Sequence, residues 1–300
     1  PSTSTLIDAN TAANASSIPF SWSSDLATTV DVPSGGPAAR VRRRRLSRHA
    51  ATRTLRQSIG LILVVVIWQL GARGWLGATT PAPTEVVEAG WELISTGELW
   101  THLAASGRRV AIGLALGIAI GAVLGAAAGL FKVAEDLVNA PVQVLRMMPA
   151  VALVPVFIIW FGIGDSFKIA LIIVAPIFPI YLNFLAGIRG VDQKLIEAAE
   201  SLELTRFELV RYVVLPGALP QIFVGLRQAL GIGWLVLVVA EMQTTPVGLG
   251  FLMNDAKEYL RTDQIFLVLV IYAVLGLLTD IGVRILERRF LSWRNGFEDR

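Results

Sequence analysis

The chain has 300 residues, 54% of them hydrophobic and only 16% charged, with a mean hydropathy of +0.62 and a formal net charge of +3. Soluble globular domains carry more charge and less apolar surface, so the balance points to lipid as the solvent. With no cysteine and two distant histidines, His49 and His102, disulfides, thiolate zinc sites and iron–sulfur clusters are excluded, and no metal site is expected.

Residues Pro1 to Ala39 are rich in Ser, Thr, Ala, Pro and Gly. They bury too little apolar surface to offset ordering entropy, which predicts a disordered tail, and they lack the basic start and apolar core of a secretory signal. The flank 40–57 carries Arg40, Arg42, Arg43, Arg44, Arg45, Arg48, Arg53 and Arg56. It directly precedes an apolar run, so anionic headgroups are a better partner for it than nucleic acid.

A helix needs roughly 20 residues to cross the hydrocarbon core, and six segments come near that length: Ile59 to Leu76, Val110 to Phe131, Met147 to Gly164, Ile169 to Ile188, Val213 to Ala240 and Ile265 to Val283. The third and fourth carry Pro149, Pro155, Pro176 and Pro179, whose freed backbone groups must be satisfied by protein or water rather than lipid. An all-α polytopic membrane domain over 58–293 is predicted, with a C-terminal tail 294–300. Placing both termini in the cytoplasm gives that side most of the Lys and Arg, although Arg108 and Arg109 fall on the other side.

Between the first two spans, Thr84 to Ser95 places Val87, Trp91 and Ile94 along one helical face and is expected to lie flat on the outer interface. Gln243 to Asp263 is too polar to cross and reads as an outer loop or a partly re-entrant segment. The second span carries Gly113, Gly117, Gly121, Gly125 and Gly129 at strict four-residue spacing. A ridge without side chains lets a neighbouring helix approach closely; the rival reading is a helix unwound around an ion.

Val191 to Pro220 is the long charged stretch between spans on the inner side. Asp192 can cap a first helix on which Leu195, Ala198, Ala199 and Leu202 form an apolar stripe, shaped for another protein's groove, while Glu197 stays polar. Thr205 and Glu208 form a capping box, with Leu204 and Leu209 at the positions of a hydrophobic staple, so the helix breaks near Glu203 and Leu204 and restarts. Periodicity alone leaves an ordinary amphipathic loop equally open.

This segment resembles the EAA loop of permeases in the binding-protein-dependent ABC importer family, through Glu197, Ala198, Ala199, Leu215 and Pro216. The family's glycine is replaced by Glu203. Either Glu203 takes a left-handed conformation at a cost of about 1 kcal/mol, or the first helix ends differently. The likeness extends over Ile59 to Trp293. It includes Arg146-Met147-Met148-Pro149, Trp160-Phe161-Gly162-Ile163-Gly164-Asp165, Gly225-Leu226-Arg227 and Ala240-Glu241-Met242, and is similar especially to the sulfonate, taurine and nitrate subgroup.

The resemblance implies a type I ABC importer permease fold in a bacterial plasma membrane. It implies an ATPase dimer as partner, a second permease copy in a homodimer, and an extracytoplasmic solute-binding protein. The loop 191–215 would couple to the ATPase through Leu195, Glu197, Ala198, Ala199, Leu202, Glu203, Leu204 and Thr205. ATP and Mg would be bound by the partner, since no G-x-x-x-x-G-K-[ST] occurs, and no catalytic residue or cofactor is expected in this chain. Polar or aromatic groups in apolar spans, Met148, Trp160, Trp234, Glu241 and Gln243, are the candidates for the translocation path, with packing or interface roles as the rival reading. A channel or an ion-driven secondary transporter is the alternative function. An intramembrane metalloprotease would need H-E-x-x-H, which is absent.

Overall fold

A computed structural model of the chain describes residues 59–60, 62–74, 80–244 and 246–291, with the side chains of Gln243 and Thr244 left out. The expected tail 1–39, basic flank 40–57 and C-terminal tail 294–300 lie outside these residues. The fold is that of the unit beginning at Ile62.

Among the described residues every regular element is helical. In order they are α1 (Ile62–Arg73), α2 (Pro83–Ser95), α3 (Glu98–Leu130), α4 (Lys132–Arg146), a 3₁₀ turn (Ala150–Leu153), α5 (Val154–Phe161), α6 (Asp165–Arg189) and α7 (Gln193–Ser201). Then come α8 (Arg206–Leu209), a π turn (Val210–Val214), α9 (Leu215–Thr244), α10 (Leu249–Glu258) and α11 (Thr262–Phe290).

Six spans were expected; the described residues contain four helices long and apolar enough to cross a membrane, or five if one bent pair counts as a single span. The four are α3, α6, the continuous Arg206–Met242 stretch and α11. Of the expected first span the described residues show α1, an apolar helix, while residues 61 and 75–79 lie outside the description. The expected third span is the clearest correction. Met147 to Gly164 is no straight helix: α4 stops at Arg146 and the Ala150–Phe161 piece leaves it at 93°. Proline supplies the reason. Pro149 disfavours helical geometry at Met148, so the chain turns at 147–149, and Pro155 suits the first turn of the new helix beyond. α5 then ends at Gly162 with φ of +74°, a left-handed position that favours glycine.

The glycine ridge of α3 faces α6, as the packing reading expected. A Cβ at Gly113 would lie 2.5 Å from Ile172 Cγ2, and at Gly121 2.9 Å from the Ile177 carbonyl oxygen. At Gly129 it would lie 2.8 Å from Ile188 Cδ1. Side-chain-free backbone is therefore needed along the full seam, where dispersion contact replaces contact with lipid.

At one end of this seam, Val110, Leu114, Phe157, Phe167, Leu171 and Leu237 join α3, α5, α6 and α9 in one apolar core. A second core sits under α2. Val86, Ala89 and Leu93 pack against Leu249 and Leu252 of α10 and Leu267 and Val268 of α11, while Val87, Trp91 and Ile94 face outward. Helix α2 is apolar on both sides. The segment from Gln243 to Asp263, expected as an outer loop or a partly re-entrant segment, contains α10, which packs on α9 and α11.

Candidate functional site

Between α6 and α9 the chain leaves the apolar bundle and forms two short helices. Asp192 Oδ1 accepts the Lys194 N–H at 2.9 Å and starts α7. The helix ends in a Schellman arrangement: the Glu203 N–H donates to Glu200 O at 2.9 Å and the Leu204 N–H to Ala199 O at 3.2 Å. Glu203 has φ of +56°, so the acidic residue occupies the left-handed position where the family carries glycine. The restart is the expected capping box. Thr205 Oγ1 accepts from the Glu208 N–H at 3.4 Å, and Glu208 Oε2 accepts from the Thr205 N–H at 2.9 Å. Leu204 and Leu209 are half-buried at the staple positions.

From Arg206 the helix continues into α9 through the π turn ahead of Pro216, whose missing N–H leaves a carbonyl one turn back without its usual donor. Helix α7 packs back on α8 and this wider turn. The four positions of its apolar stripe therefore part company. Ala199 is buried, whereas Leu195 and Leu202 are 56% and 76% exposed and Ala198 and Glu197 also face outward. The small residue marks where the helix meets its own chain; the large ones project.

At the opposite ends of the membrane helices lies a buried polar cluster. Arg109 of α3 donates from Nε to Asp165 Oδ1 at 2.9 Å, and from Nη1 to Glu241 Oε1 at 2.7 Å and to the Val247 carbonyl at 2.9 Å. Glu241, 1% exposed, also accepts from Ser106 Oγ at 2.7 Å and from the Gly250 N–H at 3.0 Å. The Leu249 N–H donates to Ser106 Oγ and the Gly248 N–H to His102 Nδ1, at 2.8 and 2.9 Å. A Cβ at Gly248 would lie 2.7 Å from the Glu241 carboxyl carbon, so glycine there lets the backbone approach the buried acid. Lys168 is buried beside them with its ammonium over the Phe167 ring. The cluster ties α3, α6, α9 and α10 together.

It also accounts for the two arginines that ran against the charge census: Arg109 is buried and paired with Asp165 and Glu241, and Arg108, though exposed, is paired with Asp165. Sequence reasoning missed Arg109, Ser106 and Lys168 as partners of Glu241. The misplaced arginine pair was the signal that could have found them.

Midway along α6 and α9 there is a cavity of about 300 Å³. Its walls are apolar, formed by Met148, Ala150, Leu171, Phe178, Leu182 and Ile232 among others, with Arg146 and Gln228 as the polar contributors. Of the path candidates, Met148 reaches this cavity. Trp160 is 69% exposed on α5, tilted against Phe157. Trp234 packs edge-on to Tyr272, its indole N–H without an acceptor among the described residues. Glu241 belongs to the closed polar cluster, and the Gln243 side chain lies outside the described set. Arg227 binds Asp280 and Glu287, each at 2.9 Å, and Asp280 also holds Arg284.

Residues 117–292 match the family described as "Binding-protein-dependent transport system inner membrane component". The chain is 45% identical over 236 residues to the putative aliphatic sulfonates transport permease protein SsuC of Escherichia coli (strain K12), covering 78% of this chain and 90% of that one. It is 36% identical over 260 residues to the taurine transport system permease protein TauC of the same organism, covering 82% and 92%. The riboflavin transport system permease protein RibX of Chloroflexus aurantiacus is 35% identical, with coverage of 78% and 88%.

Among solved structures, an amino acid ABC transporter superposes with a TM-score of 0.56 at 18% identity, over 66% of this chain and 96% of that one. An inward-facing MetNI methionine ABC transporter gives 0.51 at 21% identity, over 68% and 98%. These two likenesses concern the fold. The family match spans more than half of the 300 residues, and from it the chain belongs to the binding-protein-dependent transport system inner membrane components: it is the non-catalytic, multi-pass permease subunit of an ABC importer that works with an ATPase and a binding protein.

Proposed function

We propose that this permease carries a small anionic organic solute of the sulfonate class, with taurine and nitrate as the neighbouring possibilities. The observation that carries the solute class is the similarity to permeases named for aliphatic sulfonates and taurine, at 45% and 36% identity. The permease works as a pair of identical copies with an ATPase dimer that holds the ATP and Mg. Residues 58–293 form the membrane domain between terminal segments 1–57 and 294–300. The domain crosses six times, with α1 and the bent pair supplying the two crossings beyond the four long helices, and both termini are cytoplasmic in a bacterial plasma membrane.

Coupling runs through the 191–215 loop. Leu195 and Leu202 project from α7, and the loop joins α9 without a flexible linker, so a push on α7 is delivered to a membrane helix. ATP-driven closure of the ATPase pair would thereby bias the permease between two states of access. Glu197, Ala198 and Thr205 border the projecting leucines, while Ala199, Glu203 and Leu204 shape the turn. A gradient-driven carrier would use an exchangeable membrane acid, and Glu241 is instead committed to Arg109 and Ser106. Met148, Trp160, Trp234 and Gln243 remain our candidates for the path.

The test is reconstitution of the permease with its ATPase and binding protein in liposomes, followed by ATP-dependent uptake of labelled taurine and butane-1-sulfonate. Both solutes, or one of them, should accumulate only with ATP. Leu202→Arg, at an exposed position, should cut uptake by about tenfold or more, equivalent to about 1.4 kcal/mol of coupling, while the permease melts as the wild type does. Undiminished uptake would remove the coupling assignment; absence of uptake of either sulfonate would remove the solute class.

A further inference from the structure

The cavity between the 3₁₀ turn, α6 and α9 carries a pattern that the coupling argument does not use. It spans residues 171–182 of α6 and 228–232 of α9, the central parts of both helices. At about 300 Å³ it is at the small end of ligand cavities, which run roughly 300–1,000 Å³. Two of its lining residues are polar: Arg146, exposed in the last turn of α4, and Gln228 of α9.

Arg108, Arg109, Arg189, Arg227 and Arg284 each hold a carboxylate. Arg146 meets none among the described residues, as is also true of Arg206, Arg211, Arg288 and Arg289; of these, Arg146 lines the cavity.

The orientation of Gln228 follows from its neighbours. The Pro179 carbonyl can only accept, and Asn183 Nδ2 donates to it at 2.7 Å. That end of Asn183 is therefore the amine, and its Oδ1 accepts from Gln221 Nε2 at 2.7 Å. Asn183 Nδ2 also donates to Gln228 Oε1 at 3.1 Å. With its oxygen engaged, Gln228 has its NH₂ as the group left to serve the cavity. The lining thus includes a guanidinium and an amide N–H donor among aliphatic and aromatic side chains. Acceptor-rich anions take such donors in short charge-assisted hydrogen bonds, and an alkyl tail takes the apolar wall.

We propose that this cavity is a transit site for a short-chain alkanesulfonate, its oxygens on Arg146 and Gln228 and its carbon chain against Ala150, Leu171, Phe178 and Ile232. The proposal rests on the sulfonate reading of the solute and adds to it the residues that select head and tail. A guanidinium in the last turn of a helix also complements the helix dipole, and that role alone would make no demand on a ligand.

The experiment measures binding of butane-1-sulfonate to the full chain in lipid nanodiscs by calorimetry, with inorganic sulfate and butan-1-ol as the head-only and tail-only probes. Butane-1-sulfonate should bind at least tenfold more tightly than either. Arg146→Gln should weaken it about tenfold, Arg146→Lys less, and Ala150→Phe should remove binding by filling the cavity. If Arg146→Gln does not fold, Gln228→Leu and Ala150→Phe carry the same comparison. Equal binding by wild type and folded variants, or equal binding of butan-1-ol, overturns the site and leaves the sulfonate reading standing. A reconstituted importer that takes up no sulfonate overturns that reading, and the transit role with it.

Discussion

Glu203 shows how much a single dihedral angle can carry. Its left-handed φ ends α7 and lets the Leu204 N–H reach Ala199 O, which sets the angle between α7 and the capping box that follows. A side chain there costs about 1 kcal/mol relative to glycine. Glu203→Gly should therefore raise the melting temperature by on the order of 2 °C, read by thermal denaturation in detergent; a fall would show that the glutamate gains more from its surroundings than the angle costs. Glu241 is the opposite case. Removing one member of a buried ion pair costs about 3–5 kcal/mol when its partner is left alone; here Arg109 keeps Asp165, and the loss falls on the Arg109, Ser106 and Gly250 donors deprived of their buried acceptor. Glu241→Ala should lower both yield and melting temperature sharply, and Arg109→Met with Glu241→Met should recover part of the loss. A melt unchanged by Glu241→Ala would contradict the buried pair.

At the scale of elements, the α3–α6 seam is the most constrained contact in the bundle. A Cβ at Gly117 would sit 2.5 Å from Pro176 Cγ and would also meet α6 backbone, which cannot rotate away. Gly117→Leu should separate the helices and cost at least as much as other overpacking changes, about 1–3 kcal/mol. Gly282 on α11 has open space around its Cβ position, so Gly282→Ala should be neutral or slightly stabilising. The same thermal assay on both variants separates a packing role from a general intolerance of change. The 93° break between α4 and the 3₁₀ turn belongs to this scale too, because non-helical backbone at membrane depth must face protein or water. The cavity described above adjoins that break.

For the whole molecule, the proposed topology is directly testable because the chain contains no cysteine. Glu92→Cys on the exposed side of α2 should react with a membrane-impermeant maleimide added to intact cells. Glu203→Cys at the end of α7 should react only after the membrane is opened. The reverse pattern would invert the topology and remove α7 from the side where ATP is available.

The family was legible in the sequence because its marks are local. A helix cap, a capping box and a leucine-proline entry to a span are fixed by residues a few positions apart, and Thr205 with Glu208 folds as that spacing requires. The glycine ridge was legible for a similar reason: a period of four residues declares one face of one helix. Three things had little or no local mark. The partner of Glu241 is Arg109, separated from it by 132 positions. Met147 to Gly164 has a span's composition, and only the paired prolines hint that it turns. The orientation of Gln228 depends on Asn183, 45 positions away, and through it on the Pro179 carbonyl. By itself the sequence determined a helical membrane permease and the capped loop between two of its spans, since hydropathy and capping act over single turns of chain. The tertiary structure decided where the charges are neutralised and where a cavity remains, since those follow from which helices meet.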